Sequence, residues 1–147
     1  MGIAIFSAQR SKDNSTQVGA CIVNSEKKII SVGYNGMPTG CDDDEMPWDR
    51  EGDDPLNTKY PFVCHAELNA ILNSNIPSLS GSTLYVTLFP CNECAKAIIQ
   101  CGIKRVVYFD NKYVDTDSVR ASAMMFEKCG VVTEKYVPAG RTVTLDL

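Results

Sequence analysis

Three residues of this 147-residue chain are suited to hold a metal ion. His65, the only histidine, stands in His65-Ala66-Glu67; Cys91 and Cys94 stand in Pro90-Cys91-Asn92-Glu93-Cys94. One imidazole and two thiolates offer zinc three protein ligands and leave the fourth tetrahedral position open, the mark of a catalytic rather than a structural site. Zinc so held lowers the pKa of its bound water toward about 7 and makes hydroxide available at neutral pH. Glu67, two residues after the histidine, supplies the carboxylate that would shuttle protons between water and substrate. One zinc per chain is expected. A C-x-x-C pair alone is a weak signal, equally fitting a redox pair or half of a zinc ribbon. A redox pair leaves the lone His-x-Glu unexplained, and a ribbon needs a second C-x-x-C, which the chain lacks.

These residues need elements that aim them. Cys91 and Cys94 are three apart at the start of a predicted helix, so their side chains share one face. Pro90 suits a helix start, and the partial positive charge there favours thiolate over thiol. His65 and Glu67 are two apart and cannot face each other on the side of a helix. They converge only if the site lies off the helix end, which fits a helix starting near Cys64. Two helix N-termini aimed at one metal fit the rule that α/β sites lie beyond the carboxyl ends of parallel strands.

The rest of the pattern supplies that sheet. Residues 3–10 read as a short amphipathic helix. Val18 to Val23 and Lys28 to Tyr34 read as strands joined by the Asn24-Ser25-Glu26 turn, a hairpin. From Cys64 onward, helix and strand alternate: helix Cys64–Leu72, strand Thr83–Phe89, helix Cys91–Cys101 ended by Gly102, strand Arg105–Phe109, helix Thr116–Cys129 ended by Gly130, and strand Val131–Tyr136. Strands separated by such helices pair in parallel through right-handed crossovers. The expected fold is a three-layer α/β/α domain over residues 1–147, around a mixed five-stranded sheet.

Between the hairpin and the first site helix, Asn35 to Pro61 has no helical period and reads as a long loop with eight acidic residues from Asp42 to Asp54. The acid run is read as a solvated surface segment rather than a second metal site, because only Cys41 offers a soft ligand there.

Composition narrows the class. Hydrophobic residues make up 44% and charged residues 22%, as in an ordinary globular protein. The 14 Lys and Arg against 18 Asp and Glu give a net charge of -4, with no basic tract to grip a polynucleotide; a small-molecule substrate is expected and nucleic acid is not. No apolar run is long enough for a bilayer, and Met1 to Phe6 lacks the basic flank and cleavage site of a signal peptide. Seven cysteines at irregular spacing are read as reduced thiols in a cytoplasmic protein, with Cys21, Cys101 and Cys129 as small buried hydrophobes.

H-x-E followed by P-C-x-x-C is the signature of zinc nucleobase deaminases, in which a glutamate that does not ligate the metal acts as general acid and base. Longer stretches narrow the match. Ser7 to Asp13, Gln17 to Val23, Gly33 to Pro38, Cys64 to Ile71, Leu88 to Lys96 and Asp110 to Tyr113 resemble the deoxycytidylate (dCMP) deaminases of the zinc-dependent cytidine/deoxycytidylate deaminase family. The resemblance implies a cytidine-deaminase-like fold and conversion of dCMP to dUMP, the precursor of thymidylate, with dCTP as a further substrate in some relatives. It implies a homohexamer activated by dCTP and inhibited by dTTP; the acidic 42–54 loop, unlike a phosphate-binding segment, would either repel nucleotide phosphates or recruit Mg²⁺ bound to a triphosphate effector. It assigns the zinc ligands to His65, Cys91 and Cys94, the proton shuttle to Glu67, and substrate contacts to Asn35, Ala66 and Tyr113. Effector contacts are expected among Gly33, Tyr34, Gly36, Arg10, Lys12 and Asn14. Bland readings stand beside these: Asn35-Gly36 is a common turn dipeptide, Tyr113 fits simple packing at a strand end, and Arg10 and Lys12 fit solvated charges. The second zinc site that some relatives carry has no evident ligands here.

Overall fold

A computed structural model describes residues 1–144; the last three residues of the expected 1–147 domain lie outside it. Five strands, β1 (Gly19–Val23), β2 (Ile29–Tyr34), β3 (Thr83–Leu88), β4 (Arg105–Asp110) and β5 (Val132–Lys135), form one sheet in the order β2-β1-β3-β4-β5. β1 pairs antiparallel with β2 and with β3, whereas β3, β4 and β5 run parallel. The mixed sheet expected from the sequence is therefore present. Because β1 alone runs the other way, the carboxyl ends of β2, β3 and β4 and the amino end of β1 all lie along one edge. Asn35, Phe89, Asn111 and Val18 are the first residues past those strand ends, and the functional site is built there.

Four helices cover the sheet: α1 (Gly2–Ala8), α2 (Ala66–Leu72), α3 (Asn92–Gln100) and α4 (Asp117–Lys128). Ala20, Ile22, Leu84, Val86 and Val106 of the sheet pack with Ala66, Ala70, Ala95, Ile98 and Phe126 of α2, α3 and α4 into the main core. Gly19 and Gly33 point to opposite faces of the β1–β2 hairpin, since each stands across from a neighbour of the other. A Cβ on Gly19 would collide with the α1 backbone at Ala4 and Ala8, and one on Gly33 with the α2 backbone at Ala66 and Ala70. The two glycines thus let one helix settle onto each face, and the three layers follow.

Three local expectations change. The first helix does not bury a large apolar face: Ala4 and Ala8 are buried while Ile3, Ile5 and Phe6 stand exposed, because only small side chains fit the close approach over Gly19. Cys21 is buried as expected and Cys101 half-buried, but Cys129 is exposed, since it caps the solvent end of α4. The Asn35–Pro61 segment is a loop, yet it contains a 3₁₀ turn at Pro55–Asn57 capped by Asp54, and it ends on the buried Thr58 and Lys59. The acidic residues from Asp42 to Asp54 are mostly exposed. All seven cysteines are free thiols. Among the described residues, no helix is long and apolar enough to cross a membrane.

Candidate active site

His65 and Cys91 are the N-cap residues of α2 and α3, both in extended backbone, so their side chains project off the helix ends rather than along their sides. This resolves the two-residue spacing of His65 and Glu67. The histidine leaves the chain before the first turn, and Glu67, in that first turn, points inward and is only 4% exposed. Cys91 Sγ accepts from the Cys94 amide at 3.5 Å, a sulfur cap on the helix. His65 Nδ1 lies 3.4 Å from Cys91 Sγ and 3.4 Å from Cys94 Sγ, and the three ligand atoms all fall within 4.8 Å of one another. Tetrahedral zinc with bonds of about 2.3 Å to sulfur and about 2.0 Å to nitrogen requires N···S separations of roughly 3.6 Å. The triangle fits the ion. Among the described residues it is the one cluster of three or more such groups that could hold a metal.

The electrostatics agree with a metal site. Hydrogen bonding from the Cys94 thiol, joined by the His65 ring, outweighs burial and pulls Cys91 down to about 4. Cys94 is pushed up by the same bond to Cys91 and by its own burial. Hydrogen bonding to Cys91 raises His65. Protons crowd this triangle because two thiols and an imidazole lie too close to ionise independently, and a divalent cation removes the conflict by replacing them. Burial pushes the Glu67 carboxyl above the ordinary glutamate range, a direction suited to a group that must take up and give back a proton.

His65, Glu67 and Cys91 floor a cavity of about 310 Å³, with Cys94 buried beside His65. Its walls come from every segment at the common sheet edge: Asp13, Thr16 and Val18 before β1, Asn35 after β2, Phe89 after β3, Tyr113 after β4, and Arg50, Lys59 and Tyr60 from the long loop. Asn35 is buried and its carboxamide is heavily used. Oδ1 accepts from the Val18 amide at 2.7 Å, and Nδ2 donates to Asp13 Oδ2 at 3.1 Å and to the Thr16 carbonyl at 3.0 Å. Both amide hydrogens are committed, and one lone pair on Oδ1 remains for a ligand. Ala66 lines the cavity at the start of α2. Tyr113 lines its mouth half-buried, with the Lys112 ammonium 5.1 Å from its ring centre. The Thr16 hydroxyl beside it and the Lys112 charge hold its phenol below the usual range, against burial.

The expected effector residues fall into separate places. Arg10 stacks over the Tyr34 ring at 5.6 Å. Lys12 and Asn14 line a shallow polar cleft along residues 11–17, and Lys12 pairs loosely with Asp44 at 3.7 Å. Gly33 and Gly36 have their backbone engaged within the chain. Gly33 lies beneath α2, and Gly36 exchanges two hydrogen bonds with Cys64, of 3.1 and 2.8 Å. That bridge sets the Gly33–Pro38 segment one residue from His65, so it borders the metal pocket.

Sequence reasoning gave no part to Thr16, Arg50, Lys59 or Tyr60 at this cavity, and took Asp13 only as a member of the Ser7 to Asp13 stretch and of the Arg10–Asn14 segment expected to meet nucleotide or effector. Nothing local marks them: Asp13 and Lys59 are separated by 46 positions, and each reads alone as a solvated charge.

A cavity floored by His65, Cys91 and a buried carboxyl, with the third metal ligand Cys94 buried beside them, serves hydrolysis by activated water, and the class so defined is the hydrolases of catalytic-zinc type. The family model described as the cytidine and deoxycytidylate deaminase zinc-binding region matches residues 1–110. The deoxycytidylate deaminase of Homo sapiens is 55% identical over 146 residues, covering 99% of this chain and 82% of that protein. The probable deoxycytidylate deaminase of Drosophila melanogaster is 52% identical over 151 residues, covering 99% and 74%. The crystal structure of dCMP deaminase from the cyanophage S-TIM5 in complex with dCMP and dUMP aligns with a TM-score of 0.68 at 33% identity, over 90% of each chain. The chain belongs to the cytidine and deoxycytidylate deaminase family.

Proposed function

We propose that this enzyme deaminates dCMP hydrolytically to dUMP and ammonia, supplying dUMP for thymidylate synthesis. The observation that carries the reading is the buried Glu67 carboxyl on the same cavity floor as His65 and Cys91 of the metal triangle. The choice of dCMP is supported by the deoxycytidylate deaminases at more than 50% identity and by the dCMP and dUMP complex of the S-TIM5 enzyme.

His65, Cys91 and Cys94 would hold one zinc ion per chain. When bound, zinc supplies a hydroxide-strength nucleophile at neutral pH. Glu67 takes the proton of the attacking water and delivers it to N3 of the cytosine ring, which makes C4 more electrophilic. After attack at C4, Glu67 takes the proton of the new C4 hydroxyl and carries it to the exocyclic amine; C4=O forms as the C4–N bond breaks and ammonia leaves. The oxygen gained at C4 comes from water, one of its protons stays on N3 and the other leaves with the amine, so atoms balance as dCMP plus water giving dUMP plus ammonia. Burial of Glu67 keeps both proton transfers out of bulk solvent. The remaining lone pair of Asn35 Oδ1 accepts from a sugar hydroxyl, Ala66 contacts the base from the start of α2, and Tyr113 closes the mouth over the nucleotide.

The same reading includes control by dCTP as activator and dTTP as inhibitor, each with Mg²⁺, through Arg10, Lys12, Asn14 and the Gly33–Gly36 segment of a homohexamer in the cytoplasm. Arg10 stacked on Tyr34 and the polar cleft at Lys12 and Asn14 support it. Turnover of dCTP to dUTP is a secondary activity of the same pocket.

Ammonia release measured with dCMP, dCTP, deoxycytidine and single-stranded DNA tests this. The highest kcat/KM is expected for dCMP. No ammonia from dCMP with zinc-loaded protein refutes the reading, and preference for the oligonucleotide transfers the site to another substrate class.

A further inference from the structure

We propose that Lys59 is a positioning residue of this enzyme: its buried ion pair with Asp13 fastens the long loop over the cavity and so holds Arg50 and Tyr60 at the mouth. The inference rests on the reading that the cavity turns over dCMP.

Lys59 Nζ lies 2.5 Å from Asp13 Oδ2, with the two side chains only 8% and 3% exposed. Asp13 is a filled hub. Its Oδ1 accepts from the amides of Ser15 at 2.8 Å and Thr16 at 3.1 Å, and its Oδ2 from Asn35 Nδ2 at 3.1 Å and from Lys59. One carboxylate therefore ties together the segment before β1, the residue after β2, and the loop. All of these line the cavity except Ser15.

The loop has few other polar holds. Apart from bonds to its immediate sequence neighbours, residues 37–61 reach the rest of the described chain through Lys59–Asp13, Lys12–Asp44 and the exposed Arg50 guanidinium beside the Tyr113 phenol. Lys12–Asp44 is 3.7 Å long with both side chains more than half exposed, a kind of pair that contributes little. Lys59–Asp13 is the buried one. Through Lys59 the tie reaches the mouth: the Lys59 amide donates to the Asp49 carbonyl at 3.0 Å, and Arg50 Nε donates to the Tyr60 hydroxyl at 3.1 Å. A buried ion pair is a poor way to stabilise a fold, because desolvation offsets most of its attraction and an apolar pair of equal volume does as well. Its value here is directional. Only one arrangement of loop and floor satisfies both charges, and that arrangement also orients the Asn35 carboxamide.

Full-length zinc-loaded Lys59→Met, Asp13→Asn, the double variant and Lys59→Arg test this, with three readouts: dCMP kinetics, zinc content, and cleavage of the native protein by a glutamate-specific protease at the exposed Glu45 and Glu51. Lys59→Met should raise KM for dCMP by about 10- to 100-fold while changing kcat less, since a misplacement of about 1 Å can cost up to about 10²-fold. Zinc should stay at one per chain and cleavage should quicken by about tenfold. Lys59→Arg should restore both toward wild type. The double variant should be no worse than Lys59→Met, because both remove one clasp. Lys59→Met with wild-type KM and wild-type cleavage overturns the proposal, even if its melting temperature falls. If Lys59→Met does not fold, Asp13→Asn, which keeps the volume and removes the charge, decides by the same readouts. Wild-type protein that releases no ammonia from dCMP refutes the function and leaves the clasp to be judged on cleavage alone.

Discussion

Gly33→Ala is the substitution whose effect follows most directly from the geometry. A Cβ at residue 33 would lie 2.9 Å from Ala70 Cα and closer still to the Ala66 carbonyl and the Ala70 amide. All three are backbone atoms of α2, so no side chain can swing aside. Ordinary contact requires α2 to move off the sheet by about 1 Å. Overpacking of this kind costs about 1–3 kcal/mol. For a chain of this size that lowers Tm by roughly 2–12 °C. The displacement also reaches the chemistry, because α2 carries His65 on its cap and Glu67 in its first turn. A misplacement of about 1 Å is worth about 10²-fold in rate. Gly33→Ala should therefore lose stability and kcat together, with zinc bound more weakly. Thermal melting of the zinc-loaded protein, metal analysis and steady-state kinetics measure the three effects. A variant with unchanged Tm and kcat, but altered only in its response to dCTP or dTTP, would refute the packing argument and leave Gly33 its effector role alone.

Other outcomes follow from the site. Glu67→Gln should keep zinc at one per chain and bind dCMP while kcat falls about 10²–10⁴-fold, the range general acid/base groups supply; near-normal turnover would assign the relay elsewhere. Cys94→Ser, or treatment with a strong chelator, should remove zinc and lower both Tm and turnover, with zinc addition restoring the chelated wild type alone. Asp13 feels burial pushing it up, but Lys59 and the Ser15 and Thr16 amides outweigh it and hold it below the usual carboxylate range. A carboxyl lowered in the folded state contributes stability above its unfolded pKa of about 3.9, and that stability is lost as pH falls through the folded value. Acid titration of Tm should show this loss below about pH 4 in wild type and not in Asp13→Asn, which should already be weaker at neutral pH. With dTTP present, the dCMP saturation curve should shift to higher concentration and become sigmoidal, and dCTP should reverse this, by roughly 5–150-fold in apparent affinity; purely competitive inhibition with hyperbolic curves would contradict it.

The metal triangle and the sheet were legible in the residues because both depend on local spacing. Cys91 and Cys94 sit one helical turn apart at a cap, His65 and Glu67 straddle another cap, and alternating apolar runs give each strand its period. Pairwise separation along the chain carries that information without any knowledge of the fold. The class of chemistry came from the same local pattern, and the family from its longer stretches. What lay beyond the sequence was every contact between segments far apart in it. Asp13 and Lys59 meet only because β1 runs against its neighbours and brings the start of the chain to the strand ends where the loop returns. Gly19 and Gly33 look like loose backbone until the helices that rest on them are in place, and α1 hides its small residues rather than its large ones for the same reason. A charge or a glycine has no periodicity of its own. Whether it is solvated, buried or pressed against a helix is decided by what the folded chain sets beside it, and here that is a matter of tertiary packing around one edge of the sheet.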